Sequence, residues 1–236
     1  MRKKSEQENA KTRHPAKFSN ELLPIIAKYC YGDIVDIMGG TGKVGLLKNY
    51  NSLIKSVCSN EIEEEWANQG TANGVDVVII GDARFITGKF DCIVTSPPYG
   101  NRMADNFKPG KPDSMRSRYA GDLGRTPTKG STSCSHFGDK YTNEMADIYE
   151  NVFKNVEFDL FILNVSNFIR QFKEVDVIGW YRDFFLSRDF VLVAEEKVKT
   201  RRHRGVGANA HLRVETESVL VFKRASNFEL LNGKES

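Results

Sequence analysis

Five consecutive residues, Thr95-Ser96-Pro97-Pro98-Tyr99, bring together two aliphatic hydroxyls, two residues without N–H donors and a phenol ring. They close the run Phe90-Asp91-Cys92-Ile93-Val94, where aromatic and β-branched residues dominate a length too short for a helix, so a buried strand is predicted. The first proline restrains Ser96 to an extended backbone, and neither proline can donate. Pairing therefore stops and the carbonyls of Ser96 and Pro97 are left as acceptors. The product is a rigid, acceptor-rich corner with an aromatic ring at a strand's carboxyl end, outside which open parallel sheets bind ligands. An ordinary strand-ending turn with Tyr99 packed on the core would use the same residues, so context decides.

That context begins upstream, at Asp33-Ile34-Val35-Asp36-Ile37-Met38-Gly39-Gly40-Thr41-Gly42-Lys43-Val44-Gly45. A short apolar strand runs into a glycine-rich turn and then a helix from near Lys43, an arrangement that lets backbone approach a nucleoside where a Cβ would obstruct it. A phosphate loop is excluded because Lys43 is not followed by Ser or Thr; a dehydrogenase's dinucleotide turn remains a competing reading. Leu53 to Cys58 is a second strand, ending at Ser59-Asn60-Glu61. An acid about twenty residues past such a turn can accept hydrogen bonds from ribose hydroxyls, which makes Glu61 the candidate. Glu63, Glu64 and Glu65 follow on a helix with Trp66 and read mostly as solvated charge. Val75 to Ile80 is a third strand, ending in Gly81-Asp82. For Glu61 and Asp82 taken singly, a turn or cap role is an equal alternative; their placement after successive strands favours ligand contact.

Around these elements, residues 1–13 read as a mobile arm, and His14-Pro15-Ala16-Lys17-Phe18 leads to a helix over Asn20 to Tyr31 with Pro24 near its first turn. Gly100 to Lys140, rich in Gly, Pro, Ser, Thr and Arg, is irregular and too long for an idle loop, and so reads as a lid and substrate-contact insertion. Asn143 to Val156 is an amphipathic helix, and Phe158 to Val165 a fifth strand. A further helix then turns Phe172, Val175, Ile178, Tyr181 and Phe185 to the core. Phe190 to Glu195 and Ser218 to Phe222 are the last strands, joined by a basic loop from Lys197 to Glu215.

A chain of 236 residues suits one α/β domain with a modest insertion. No apolar run is long enough to span a bilayer, and no secretory signal is visible, so a cytoplasmic protein is expected. Cys30, Cys58, Cys92 and Cys134 are scattered, which speaks for reduced thiols and against a zinc site; Cys134 and His136 alone make no metal site. The net charge of +3 decides nothing, but its distribution does. Arg102, Lys108, Lys111, Arg116, Arg118, Arg125 and Lys129 outnumber the acids around them. Lys197, Lys199, Arg201, Arg202, Arg204 and Arg213 form a second basic stretch without an acid up to Arg213. Two such stretches suggest a surface that tracks phosphates, with Tyr119 or Phe107 placed to stack on a base.

Ser96-Pro97-Pro98-Tyr99 resembles the catalytic motif of the S-adenosylmethionine-dependent amino-methyltransferases of nucleic acids, in which Asp, Asn or Ser precedes Pro-Pro-Tyr or Pro-Pro-Phe. The family's acid, then Phe, then Gly-x-Gly is matched by Asp36, Gly40 and Gly42, with Met38 replacing the Phe. The resemblance covers nearly the whole chain apart from the arm and the insertion, and lacks a large target-recognition domain. It implies a Rossmann-like methyltransferase fold in which a seven-stranded, mostly parallel sheet ends in an antiparallel hairpin and carries helices on both faces. One domain would span 14–236, with the insertion at about 100–142. The cofactor implied is S-adenosylmethionine, with His14 and Phe18 against its methionine part, Asp36, Met38, Gly40 and Gly42 at the glycine turn, Glu61 at the ribose and Asp82 at the adenine amino group. Ser96, Pro97, Pro98 and Tyr99 would carry the methyl transfer to a flipped base. Ser in the first position is associated most often with N4 of cytosine, ahead of N6 of adenine. DNA is thus the favoured partner over RNA, in the setting of restriction and modification, with Arg102, Arg116, Arg118, Arg201, Arg202, Arg204 and Asn209 as nucleic-acid contacts and His203 beside them. A homodimer or a specificity partner would supply further recognition. Set against this enzyme are an RNA amino-methyltransferase, a catalytically silent nucleic-acid-binding subunit of the same fold and, more distantly, a nicotinamide oxidoreductase, which leaves the proline corner and the basic loops unexplained.

Overall fold

A computed structural model of the chain describes residues 14, 19–98, 119–133, 135–199 and 214–226. Among them seven strands form one sheet: β1 (Gly32–Asp36), β2 (Ile54–Glu61), β3 (Val77–Ile80), β4 (Cys92–Thr95), β5 (Leu160–Val165), β6 (Phe190–Lys199) and β7 (Thr216–Arg224). Their spatial order is β3-β2-β1-β4-β5-β7-β6. The first five run parallel, and β7 lies between β5 and β6, antiparallel to both. The α-helices are α1 (Leu23–Ala27), α2 (Glu64–Ala67), α3 (Tyr119–Leu123), α4 (Asp139–Asn155) and α5 (Val177–Leu186). This is the Rossmann-like methyltransferase fold, parallel except for its closing hairpin.

Successive side chains of a strand point to opposite faces, so each inner strand feeds two cores. Val35, Ile93, Phe161, Leu163 and Phe222 pack on one side with α4 and α5. Ile34, Cys92, Val94, Ile162 and Val221 pack on the other with α1 and the 3-10 turn Lys43–Asn49. Burial on both faces is why these strands read as continuous apolar runs. α4 buries Tyr141, Met145, Ile148, Tyr149 and Val152, which recur at helical spacing. Cys30, Cys58 and Cys92 are unbridged and buried.

Several boundaries differ from the sequence reading. The segment from Lys43 is a 3-10 helix, because Gly42 precedes it and Gly45 lies within it, and glycine carries little helix propensity. The first helix is only Leu23–Ala27, with Pro24 at its start. α4 begins earlier than Asn143, at Asp139. Phe172 and Val175 do not belong to the helix that holds Tyr181 and Phe185. Phe168–Arg170 and Lys173–Val175 pair as a small antiparallel hairpin, and Gln171 and Phe172 turn it with φ of 49° and 63°, leaving Phe172 exposed. α5 then starts at Val177, where the Asp176 side chain accepts from Gly179 N at 2.8 Å and caps it. Lys197 and Lys199 are not loop residues either, since β6 pairs with β7 as far as Lys199 and Thr216.

Candidate active site at the carboxyl edge of the sheet

The strand order turns back between β1 and β4, and a crevice opens outside the carboxyl ends of strands at such a point. The glycine turn follows β1 and Ser96-Pro97-Pro98 follows β4, so both motifs stand at the same edge on neighbouring parallel strands. Gly39 N donates to Asn60 O and Gly42 N to Gly39 O, each at 2.8 Å, which ties the turn to the end of β2. Gly40 and Gly42 have φ of 54° and 71°, a backbone that side-chain-bearing residues adopt only with strain. A Cβ at Gly42 would lie 2.5 Å from Gly70 Cα, and one at Gly40 3.1 Å from His14 Nε2. The His14 ring thus rests on the turn, edge-on to Trp66 at 4.3 Å and to Tyr119 at 5.5 Å between centroids.

Two buried carboxyl groups underlie the turn. Asp36, the last residue of β1, accepts from Met38 N at 3.0 Å through Oδ1, while Oδ2 is buried without a hydrogen bond of normal geometry among the described residues. Burial pushes the Asp36 carboxyl up to about 7; the Met38 N–H and the neighbouring Thr95 hydroxyl oppose that shift, and the charge of Glu61 adds to it. Glu61 ends β2 and accepts from Gly40 N at 2.7 Å and Glu63 N at 3.0 Å. Burial raises it too, to about 7, against the pull of those two N–H donors. In this geometry Glu61 braces the turn, with both oxygens on backbone donors.

Glu63, read from sequence as solvated, is 1% exposed. Arg125 meets its Oε2 at 2.8 Å, and Thr128 donates to both of its oxygens, from N to Oε1 at 2.8 Å and from Oγ1 to Oε2 at 2.9 Å. The same guanidinium grips Glu65 through two nitrogens at 2.8 and 2.6 Å. These bonds dock a strap, residues 119–133, over the ends of β2 and β3. Tyr119 on α3 meets Trp66, which is itself buried. At the strap's far end a Cβ on Gly130 would lie 2.6 Å from Asp82 Oδ2 and 3.6 Å from Ile62 Cδ1. Asp82 caps the turn Ala83–Phe85 by accepting from Arg84 N at 3.0 Å, and pairs with the Arg84 guanidinium at 2.9 Å.

On the other side of the crevice, Asn164 near the end of β5 donates from Nδ2 to Ser96 Oγ at 3.2 Å and to Glu217 Oε2 on β7 at 2.9 Å. Neither Asn164 nor Glu217 is singled out by sequence reasoning. The available signal was one amide inside the apolar run Leu160-Phe161-Ile162-Leu163-Asn164-Val165, where a buried polar group calls for partners. A cavity of about 560 Å³ lies at the opposite, amino edge, lined by Phe90, Asp91, Phe158 and Asp159 ahead of β4 and β5. It shares no residue with the two motifs.

Phe18, Tyr99, Arg102, Arg116, Arg118, Arg201, Arg202, Arg204 and Asn209 lie outside the described residues, as do His203, Phe107, Cys134 and the expected arm. Among the described residues no group of three or more His, Cys, Asp or Glu is placed to hold a metal, and no helix is long and apolar enough to cross a membrane.

No protein-family model matches the chain, and no curated protein matches it. Solved structures do resemble it. The m1A22 tRNA methyltransferase TrmK of B. subtilis is 14% identical, with 88% of this chain and 67% of that one covered at a TM-score of 0.48. The N-methyltransferase NodS of Bradyrhizobium japonicum, solved with S-adenosyl-L-homocysteine, is 11% identical, with 86% and 83% covered at 0.48. The hMettl16 catalytic domain, solved with an RNA hairpin, is 10% identical, with 90% and 73% covered at 0.49. At such identities the likeness is one of fold alone.

Proposed function

We propose that this chain is a nucleic-acid amino-methyltransferase that takes its methyl group from S-adenosylmethionine and delivers it to the exocyclic amine of a flipped base, N4 of cytosine in DNA first and N6 of adenine next. The observation that carries the reading is the placement of Ser96-Pro97, after β4, beside the glycine turn of the adjacent parallel β1. The residues at that turn fit the cofactor. Gly40 and Gly42 keep the backbone open, and Asp36 holds a buried carboxylate oxygen that suits a cationic ligand. Asp36, Met38, Gly40 and Gly42, with His14 and Phe18, would hold its methionine side, and Glu61 and Asp82 its ribose and adenine. When bound, it supplies an electrophilic methyl group on a sulfonium.

The chain's part is to prepare the amine, whose lone pair is delocalised into the base and therefore weakly nucleophilic. Ser96 Oγ and the Pro97 carbonyl accept from the two amino hydrogens, draw the nitrogen towards a tetrahedral geometry and localise that pair. Orientation of this kind can lower a barrier by roughly 7 to 11 kcal/mol, so no strong general base is needed: the nitrogen forms its bond to the methyl group as the sulfonium carbon–sulfur bond breaks, and the methylated, cationic amine then releases its extra proton to solvent. Inside a duplex the amine is out of reach, and extruding the base costs a few kcal/mol, which stacking on Tyr99, worth about 1 to 3 kcal/mol, would offset. The test is to incubate DNA and RNA with labelled S-adenosylmethionine, digest to nucleosides and identify the product by mass spectrometry. N4-methylcytosine from DNA supports the first reading; the same amine methylated only in RNA moves the substrate and keeps the chemistry; a product methylated at carbon or ring nitrogen overturns it. A catalytically silent subunit would show no thermal stabilisation by the cofactor.

A further inference from the structure

We propose that the small hairpin of residues 168–175 is a nucleic-acid contact, in which Phe172 stacks on a base beside the one to be methylated and Arg170 and Lys173 meet the flanking phosphates. The inference rests on the proposed methyl transfer and adds the element that holds the strand at the mouth of the crevice. The hairpin's tip departs from local preference in three ways. Arg170 pairs with Lys173, so the loop is the two residues Gln171 and Phe172, both at positive φ. A two-residue loop of this kind favours Asn-Gly, because most side chains are strained there. Phe172 is also 64% exposed, in a chain that buries Phe161, Phe185 and Phe222 completely. Arg170 and Lys173, directly opposite each other in the ladder, set like charges together, which costs a hairpin stability. A nucleic acid accounts for the exposed ring and the paired cations: phosphates turn the like charges into an attraction, and a base face covers the ring.

Strain at such a tip persists only where the surroundings hold it, and the base of this hairpin is held firmly. Phe168 is buried edge-on against Phe137 at 6.3 Å, and Phe137 meets Trp180 of α5 at 6.2 Å between centroids. Asn167 accepts from Ile178 N at 2.9 Å and donates to Glu174 Oε1 at 2.7 Å, so Glu174, the acid next to Lys173, is engaged at the hairpin's base. Arg170 donates to the Phe137 carbonyl at 3.4 Å, and among the described residues neither Arg170 nor Lys173 pairs with a carboxylate. The position is that of the proposed chemistry. Ser166, one residue past β5, donates from Oγ to Thr216 O at 3.1 Å, and Leu163 pairs with Thr95, the residue before Ser96. The hairpin is therefore rooted at the edge that carries Ser96-Pro97, and its three-residue legs take the tip about 10 Å from that root. A flipped base leaves a gap with unstacked neighbours, the surface that an exposed aromatic wedge covers.

The decisive variant is Gln171→Asn with Phe172→Gly, the pair that such a turn prefers. Relief of strain should raise the melting temperature, while affinity falls by about tenfold for a fluorescein-labelled DNA duplex of mixed sequence with one abasic site, which supplies the gap. A hairpin with only a structural role would gain stability and lose no binding, so the opposed changes are the signature of the contact. Phe172→Ala should lose the same binding, Phe172→Trp should keep it, and the Kd for S-adenosylmethionine should stay at the wild-type value in all three. An RNA duplex of the same design, run in parallel, identifies the nucleic acid: a loss on RNA alone keeps the contact and moves it to RNA. Equal affinity of wild type and the Asn-Gly variant on both probes would overturn the inference, as would a wild-type protein that binds neither. Failure of the methyl-transfer reading looks different, because the wild type would then bind the probes through the hairpin yet yield no methylated nucleoside.

Discussion

At the scale of single residues, Asp36 and Ser96 make separable predictions. The Asp36 carboxyl has a raised folded value, about 7 against an ordinary 3.8, because burial disfavours its charge. A group raised in this way contributes stability that is complete below the unfolded value and fades as pH climbs through the folded one. Each unit corresponds to about 1.4 kcal/mol, so between roughly pH 4 and pH 7 the loss is on the order of a few kcal/mol. Thermal melts across that range should therefore show the wild-type protein weakening with rising pH and Asp36→Asn following a flatter line; parallel curves would refute the assignment. Glu61 titrates in the same window, so the slope should fall and not vanish. A cation bound over the turn favours the ionised form, which makes cofactor binding tighter at pH 8 than at pH 6 in the wild type and nearly pH-independent in the double variant Asp36→Asn, Glu61→Gln. Ser96 is on the other motif. Ser96→Ala and Tyr99→Ala should each lower methyl transfer by about 100-fold while cofactor titrations stay close to wild type. Equal losses in both assays would mean that the corner and the turn do not divide the work.

At the scale of elements, strands were legible because burial on both faces leaves a short apolar run in the sequence, and β1, β4 and β5 appear within two residues of where that run puts them. What stayed hidden depends on contacts distant in sequence or on local backbone. Phe172 looked like one more core aromatic at helical spacing, and only its positive φ at a hairpin turn exposes it. Glu63 looked solvated because the group that buries it, Thr128, is 65 residues away. Asn164 and Glu217, 53 residues apart, likewise have no local pattern to announce them. The strap made by residues 119–133 brings its own prediction. Gly130 is seated against Asp82 and Ile62, so the strap covers part of the Asp82 carboxylate, and in the proposed reading an adenine would meet Asp82 more readily once the strap moves. Arg125 is its main tie: its pair with the part-exposed Glu65 is worth at most about 1 kcal/mol, and its loss would also leave the buried Glu63 carboxylate without its cation. Arg125→Ala should then raise the population of the undocked strap by at least about fivefold. The expected readings are faster hydrogen exchange at the amides of 119–133 and faster association of S-adenosylmethionine in stopped flow. Slower association would show the strap to be a wall of the pocket and not an obstacle to entry.

At the scale of the whole molecule, the closing hairpin and the parallel half of the sheet divide the labour. The parallel half ends in the glycine turn, Glu61 and Asp82, while β5 and β7 deliver Asn164 and Glu217 to Ser96 from the other side. β6 ends and β7 begins at that same edge, where Lys199 and Thr216 stand opposite each other in the antiparallel ladder. Arg201, Arg202 and Arg204 follow Lys199 in the sequence, and Lys199 pairs with Thr216, the residue before Glu217. If these arginines meet phosphates, their contribution is counterion release and depends steeply on salt. For duplex DNA each lost phosphate contact lowers the slope of log K against log salt by about 0.9, and for a single strand by about 0.7. Replacing all three by Gln and measuring the anisotropy of labelled duplex between about 50 and about 200 mM salt should therefore flatten the slope by nearly one unit per arginine, with little change in S-adenosylmethionine affinity. A weaker but equally steep dependence would mean that the three side chains act on the loop and not on phosphate; a flattening nearer 0.7 per residue would place the contacts on an extruded or single strand, as a flipped base requires.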